Sequence, residues 1–278
     1  MKEHSWQVVE INWDHCPWIS EESKKRTQEE FRGQPDFLNS LAGYDFMPLV
    51  EDAVINGKAL DELLANPPIA KPDGSIHAFC DFAWSGSGDL NVLAVRRGNV
   101  VRIEAAFSCG HLISSKKHPE PGIVERFAIE FHRLGLESDQ ISGDEGGGGK
   151  LVMDEFDRMG WSLNRINNGS PANDVEHYAN KAAEMWYEGG KHITLKTFTL
   201  PNDMKLRAQL LSRKRKKDTR GKLAVEAKDD MRKRGLASPD LADAVLGCMM
   251  PNGGYANEQV SYCIPIAVGR PDQIVSFS

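Results

Sequence analysis

The chain has 278 residues, 40% of them hydrophobic and 27% charged, with a formal net charge of −6. That length buries a core without covalent staples, and five cysteines with no C-x-x-C pair support neither a disulfide framework nor a zinc knuckle, which fits a reducing cytosol. No segment approaches the ~18 uninterrupted apolar residues that span a bilayer, so a soluble protein with no membrane partner is expected.

Residues 1–74 read as a linker-like N-terminal segment packing on the core. Trp6, Trp13 and Trp18 come early, a polar helix is expected from Ser20 to Arg32, and Pro67-Pro68 with Lys71-Pro72-Asp73-Gly74 close the region. Strands follow: Ile76 to Asp81, then Leu90 to Arg96 after the Ser85-Gly86-Ser87-Gly88-Asp89 turn, then Val100 to Phe107 across a tight Gly98-Asn99 hairpin. Val124, Phe127, Ala128, Phe131 and Leu134 recur at helical spacing, with Gly135 as the C-terminal cap. A short strand from Gln140 to Asp144, a helix over Leu151 to Met159 and a strand from Trp161 to Ile166 come next. Further helices are expected over Asp174 to Glu188, Asn202 to Ser212 and Ser238 to Met250, with the apolar segment Ile193 to Phe198 between the first two. The fold class is therefore α/β: a mixed sheet of three antiparallel strands with later parallel additions, flanked by helices, over residues 75–250. Residues 251–278 read as a C-terminal tail.

Four acids stand where apolar segments end or helices begin. Alternation along Ile76 to Asp81 puts Phe79 and Asp81 on one face, and an acid there costs free energy unless it is paired or metal-bound. Hydrogen bonds from the Ser85–Gly86 turn are the plainer explanation of Asp81. Asp144 repeats the device, with Glu145 beside it as a substitute, though an acid before a helix start also suits the helix dipole. In the last helix Ser238 reads as N-cap, Pro239 as the first helical residue and Asp240 as a first-turn acid with a sufficient capping role. Asp243, one turn on and beside the stripe of Leu241, Ala244, Val245 and Cys248, has no such explanation. Oxygen ligands of this kind suit Mg²⁺ or Mn²⁺, and two such ions held by shared carboxylates serve phosphodiester hydrolysis.

Between Lys205 and Gly235 stand thirteen Lys and Arg against four Asp and Glu, so one basic stripe lies on an otherwise strongly acidic chain. Lys214, Arg215, Lys216, Lys217, Arg220 and Lys222 form either a solvated loop or a grip on a phosphate backbone. Lys228 neutralises a scissile phosphate or pairs with an acid. The glycines Gly146 to Gly149 fail the G-x-x-x-x-G-K-[ST] pattern, and there is no H-x-x-x-H pair or G-x-S-x-G elbow. Nucleotide binding by a P-loop, zinc hydrolysis and serine chemistry are thus unsupported.

Five stretches resemble the nuclease domain of the large terminase subunits of tailed bacteriophages, in the ribonuclease H-like superfamily. They are Cys80-Asp81-Phe82-Ala83 with Gly88-Asp89, Ser142-Gly143-Asp144-Glu145-Gly146-Gly147-Gly148, Tyr178-Ala179-Asn180-Lys181-Ala182-Ala183-Glu184-Met185-Trp186, Glu226-Ala227-Lys228-Asp229-Asp230-Met231-Arg232-Lys233-Arg234-Gly235, and Ser238-Pro239-Asp240-Leu241-Ala242-Asp243-Ala244. The resemblance implies a two-metal endonuclease that cuts concatemeric viral DNA during genome packaging in the host cytoplasm. Its catalytic ligands would be Asp81, bridging two Mg²⁺ or Mn²⁺ ions, with Asp144 and Asp243; Asp240 would be an auxiliary ligand, and Asp89 also stands in that second tier. Gln28 to Phe37 through Val54-Ile55-Asn56 looks like the linker preceding such nucleases. The implied partners are double-stranded DNA, a packaging ATPase domain, the small terminase subunit and the portal. Walker motifs are absent, so translocation is not assigned to this chain. A junction-resolving nuclease of the same superfamily and a non-catalytic DNA-docking or motor-interaction domain are the alternatives.

Overall fold

The computed structural model describes residues 12–30, 52–83 and 89–250. Expectations for Trp6, the Gln28 to Phe37 linker beyond Glu30, the Ser85 to Gly88 turn and the tail after Met250 lie outside the described residues. Within the first stretch, the polar segment is helical as expected, over α1 (Glu21–Glu30), which buries none of its residues.

Five strands form the sheet: β1 (Ile76–Asp81), β2 (Asn91–Arg97), β3 (Val100–Phe107), β4 (Ile141–Asp144) and β5 (Asn164–Ile166), in the spatial order β3-β2-β1-β4-β5. The hairpins make β1, β2 and β3 antiparallel, whereas β4 runs parallel to β1 and β5 parallel to β4. The expected mixed, ribonuclease H-like sheet is the one that forms. Helices cover both faces, and strand alternation sorts the side chains between them. Ala78 and Cys80 point to the face carrying α2 (Ile123–Leu134) and α3 (Gly149–Arg158), where Phe127, Phe131 and Phe156 are fully buried. Phe79 points to the opposite face, into a core built with the last helix, α7 (Asp240–Met249), together with Trp186, Leu206 and Leu210. Asp81 follows Phe79 onto that second face.

Residues ahead of β1 belong to the same core. A helix over Gly57–Ala65, N-capped by Asn56, buries Leu60 and Leu63, and Ile55 beside it is fully buried. Several helices depart from the boundaries read from sequence. The one expected over Asp174 to Glu188 spans Lys181–Thr194 (α4), because the Asn180 side chain accepts the Ala183 N–H and starts the helix there, while Asp174 turns back to cap His177. The next, α5 (Met204–Ser212), is capped by Asp203. The basic run is not a loop: β6 (Arg215–Lys217) and β7 (Leu223–Val225) pair as a separate hairpin, closed by Asp218 accepting N–H groups of Arg220 and Lys222. A short helix, α6 (Lys228–Lys233), which periodicity did not reveal, carries the chain back to the last helix.

All ten residues of α7 are buried. Its Gly247 is required by contact: a Cβ there would lie 2.5 Å from the Phe79 ring. Pro239, rather than Ser238, occupies the cap position. At the other end the sheet takes up the helix carbonyls, with His77 Nδ1 2.9 Å from Met250 O and 3.2 Å from Cys248 O, and Arg96 Nε donating to Cys248 O at 3.0 Å. Burial pushes the His77 imidazole down to about 4, so it sits neutral at neutral pH, its other nitrogen 3.0 Å from Ser142 Oγ.

Candidate metal centre

Asp81 and Asp144 are the last residues of two neighbouring parallel strands, each one position beyond the paired residues Cys80 and Gly143. The close start of α3 against β4 depends on Gly149, whose Cβ would fall 2.0 Å from the Asp144 carbonyl oxygen. Asp144 is half-buried and fixed by the Gly146 N–H at 2.9 Å and Asn168 Nδ2 at 2.8 Å. Glu145 points elsewhere, 3.6 Å from Arg165.

Asp81, Asp240 and Asp243 are buried to 5%, 4% and 2% exposure, far below what unpaired carboxylates tolerate. Lys228, from the first residue of α6, stands among them. Its Nζ lies 2.9 Å from Asp243, 3.8 Å from Asp81 and 3.9 Å from Asp240. One ammonium group thus faces three carboxylates.

The three acids differ in what else holds them. Asp243 accepts from Trp186 Nε1 at 2.7 Å and from Arg213 Nη1 at 3.3 Å. Burial alone would raise its pKa, but Lys228, Arg213 and the indole N–H outweigh it and keep the group below the usual carboxylate range. Asp240 accepts the Leu90 N–H at 2.7 Å, and burial leaves its pKa raised. For Asp81, burial dominates and raises the pKa well above the ordinary value, with Asp240, Asp243 and Asp144 adding to the rise. Among the described residues no donor hydrogen-bonds the Asp81 carboxylate, and Lys228 is its one ion-pair partner. Lys228 is raised in turn, because the three carboxylates outweigh the effect of its burial.

Two contributors were missed in the sequence reading of roles. Trp186 lay within a motif carrying the resemblance, yet nothing local tied its indole to an acid 57 positions away. Arg213 opens the basic run but is buried, 5.1 Å above the Trp186 ring, and its Nε donates to Glu226 O at 2.8 Å. Glu226 is itself clasped by Arg234 at 2.6 Å. The remaining basic residues stay apart from this centre. Arg215, Lys216 and Lys217 are exposed on β6, with Arg215 Nε donating to Ala53 O at 2.7 Å and Lys216 paired with Asp230 at 2.8 Å. Lys214 donates its N–H to Glu226 at 3.3 Å, Lys222 Nζ donates to Val175 O, and Arg220 is exposed. Asp89 pairs with Arg232 at 3.3 Å, outside the trio around Lys228.

A mixed β3-β2-β1-β4-β5 sheet with acids at the ends of β1 and β4 and on a helix across one face defines a ribonuclease H-like α/β domain. No family model matches the sequence, and no curated protein matches it significantly. Among solved structures the chain is similar to a point mutant of the nuclease domain of the large terminase subunit gp2 of bacterial virus Sf6, with manganese and beta-thujaplicinol. The two share 21% identity over 72% of this chain and 99% of that one, with a TM-score of 0.56. The same domain with calcium gives 20% identity, the same coverage and a TM-score of 0.55, and the Sf6 domain without the mutation 20% and 0.52. The fold of this chain is that of phage large-terminase nuclease domains.

Proposed function

We propose that this chain is a divalent-metal-dependent DNA endonuclease that cuts concatemeric viral DNA during genome packaging. The observation that carries the reading is the convergence of buried Asp81, Asp240 and Asp243 on one lysine, beside Asp144, on a fold shared with terminase nucleases. The donor set fits Mg²⁺ or Mn²⁺: it is all carboxylate oxygen, it is short of positive charge, and the Asp81 carboxylate has unused acceptor capacity among the described residues. Asp81, Asp144 and Asp243, assisted by Asp240, would hold two such ions. Bound ions of this kind supply an activated water and stabilise the leaving oxygen.

The chain's own groups perform the rest. Trp186 and Arg213 fix the Asp243 carboxylate, so ligand geometry is set before substrate arrives. Lys228 offsets the mutual repulsion of the acids and, one-third exposed, reaches toward a scissile phosphate. Lys214, Arg215, Lys216, Lys217, Arg220 and Lys222 on the β6–β7 hairpin hold the backbone of double-stranded DNA by charge, without reading sequence. A packaging ATPase, the small terminase subunit and the portal would deliver that DNA in the host cytoplasm. The test is nicking of supercoiled plasmid with Mg²⁺ or Mn²⁺. Wild type should cut only with metal and Asp81→Asn should not cut; equal activity of the two proteins would remove the reading.

A further inference from the structure

The connection from β3 to α2, residues 108–122, is long and contains no helix or strand. Loops of that length without internal structure are uncommon in compact domains unless something other than a backbone ladder organises them. Here the two ends are tied to α2. Ile123 and Val124 donate their N–H groups to His111 O and Leu112 O, both at 3.0 Å, and the Glu125 carboxylate accepts from Gly122 N at 2.8 Å and Ser114 N at 2.6 Å. The tip is a turn in which Ser115 N–H donates to His118 O at 2.6 Å.

Between these ties, three metal-binding side chains meet. The His111 and His118 rings stack with centroids 4.7 Å apart. Glu120 Oε1 lies 3.5 Å from His118 Nδ1 and 3.8 Å from His111 Nε2, and one ligand atom from each residue falls within 4.8 Å of the others; His111 Nε2 also donates to the Glu120 backbone oxygen at 3.2 Å, a bond a metal ion would displace. Ligand atoms around a tetrahedral zinc stand roughly 3.3 Å apart, given Zn–N and Zn–O lengths of about 2.0–2.1 Å, so a contraction of up to about 1.5 Å, mostly by the more exposed His118 and Glu120, brings three ligands to bonding distance and leaves the fourth position to water. Behind them, Cys109 Sγ is buried and 3.5 Å from His111 Nδ1. That contact engages the nitrogen that does not face Glu120, as the outer partner of a ligating imidazole does.

We propose that His111 Nε2, His118 Nδ1 and a Glu120 carboxylate oxygen bind a zinc ion, with Cys109 orienting His111. Two imidazoles and a carboxylate prefer zinc to magnesium, whereas the centre around Asp81 offers oxygen alone, so the two sites sort ions by ligand chemistry. β3 ends at Phe107, opposite Asn91, at the same end of the sheet as Asp81, and the zinc would fix a loop that packs through Cys109 and Leu112 on the α2 face. The ion would tie the loop together with water in its fourth position, and the inference does not depend on nuclease activity.

The test is zinc content after dialysis with excess Mg²⁺ present to saturate the carboxylate centre, together with thermal unfolding. Wild type and Asp81→Asn should each retain one zinc per chain, and saturating zinc should raise the unfolding midpoint by about 5 °C. His111→Ala and His118→Ala, with far-UV circular dichroism like wild type, should retain none and show no rise. Co²⁺ in place of zinc should give the visible absorption of a four-coordinate ion in wild type alone among wild type and these two His variants. Zinc-free wild type, zinc retained by His118→Ala, or zinc lost from Asp81→Asn would each overturn the assignment.

Discussion

The carboxylate centre and the β6–β7 hairpin are both dense in charge, and they are built in opposite ways. In the centre, Asp81, Lys228, Asp240 and Asp243 arrive from a strand and two helices, and buried Arg213 and Trp186 lock them together. On the hairpin, consecutive Arg215, Lys216 and Lys217 lie in water. Charges of the first kind are coupled and lightly screened; those of the second are nearly independent and weaken with salt. A role in chemistry and a role in holding DNA therefore leave different experimental signatures.

The largest expected effect is Asp81→Asn, which should lower metal-dependent nicking by roughly a hundredfold or more at every salt concentration. A loss that varied with salt would assign Asp81 to DNA binding instead. Next is the anchoring of α7 by His77. The unfolded imidazole titrates near 6.5 and the folded one near 4, so between those values the unfolded chain holds the extra proton and stability falls as pH drops. The full loss is up to about 3 kcal/mol. Because Asp81 and Asp240 are raised and act in the opposite sense, the quantity to measure is wild type minus His77→Gln in urea unfolding; a flat difference from pH 7 to 4 would refute the anchor.

Lys228→Ala leaves the acids without their shared cation. Unfolding free energy without metal should drop by about 2 kcal/mol, the lower side of the usual cost because the lysine is partly exposed, and Mn²⁺ should restore it. Trp186→Phe keeps the packing but removes one hydrogen bond to Asp243, and metal affinity should fall roughly tenfold, read by calorimetry. The smallest effect belongs to the hairpin: Lys217→Gln with Arg220→Gln should reduce the salt slope of duplex binding by about 2, with nicking at saturating DNA unchanged. A change in nicking there would erase the contrast between the regions.

What the sequence disclosed follows the same division. Alternation along Ile76 to Asp81 places Asp81 on the Phe79 face because strand geometry is local, and the stripe around Asp243 is legible for the same reason. The partners were not. Lys228 reads equally as part of the basic stripe until α6 turns it inward, and Arg213 belongs by composition to an exposed run yet is buried under Trp186. The helix expected from Asp174 begins instead at Lys181 because polar capping by Asn180 outweighs the preceding periodicity. The histidine loop was passed over because its ligands follow neither helical nor zinc-finger spacing and meet only when residues 108–122 fold back.

The burial of α7 has a further bearing on when the centre comes into being. A ribosome makes this chain from its amino end, so Asp81 and Asp144 emerge long before Asp240 and Asp243. Until the last helix has been synthesised and seated across Phe79, the early acids have neither Lys228 in position nor the partners that complete the set. On the proposed function, a nascent chain would lack a complete metal centre, and the act that finishes the core would be the act that arms the domain.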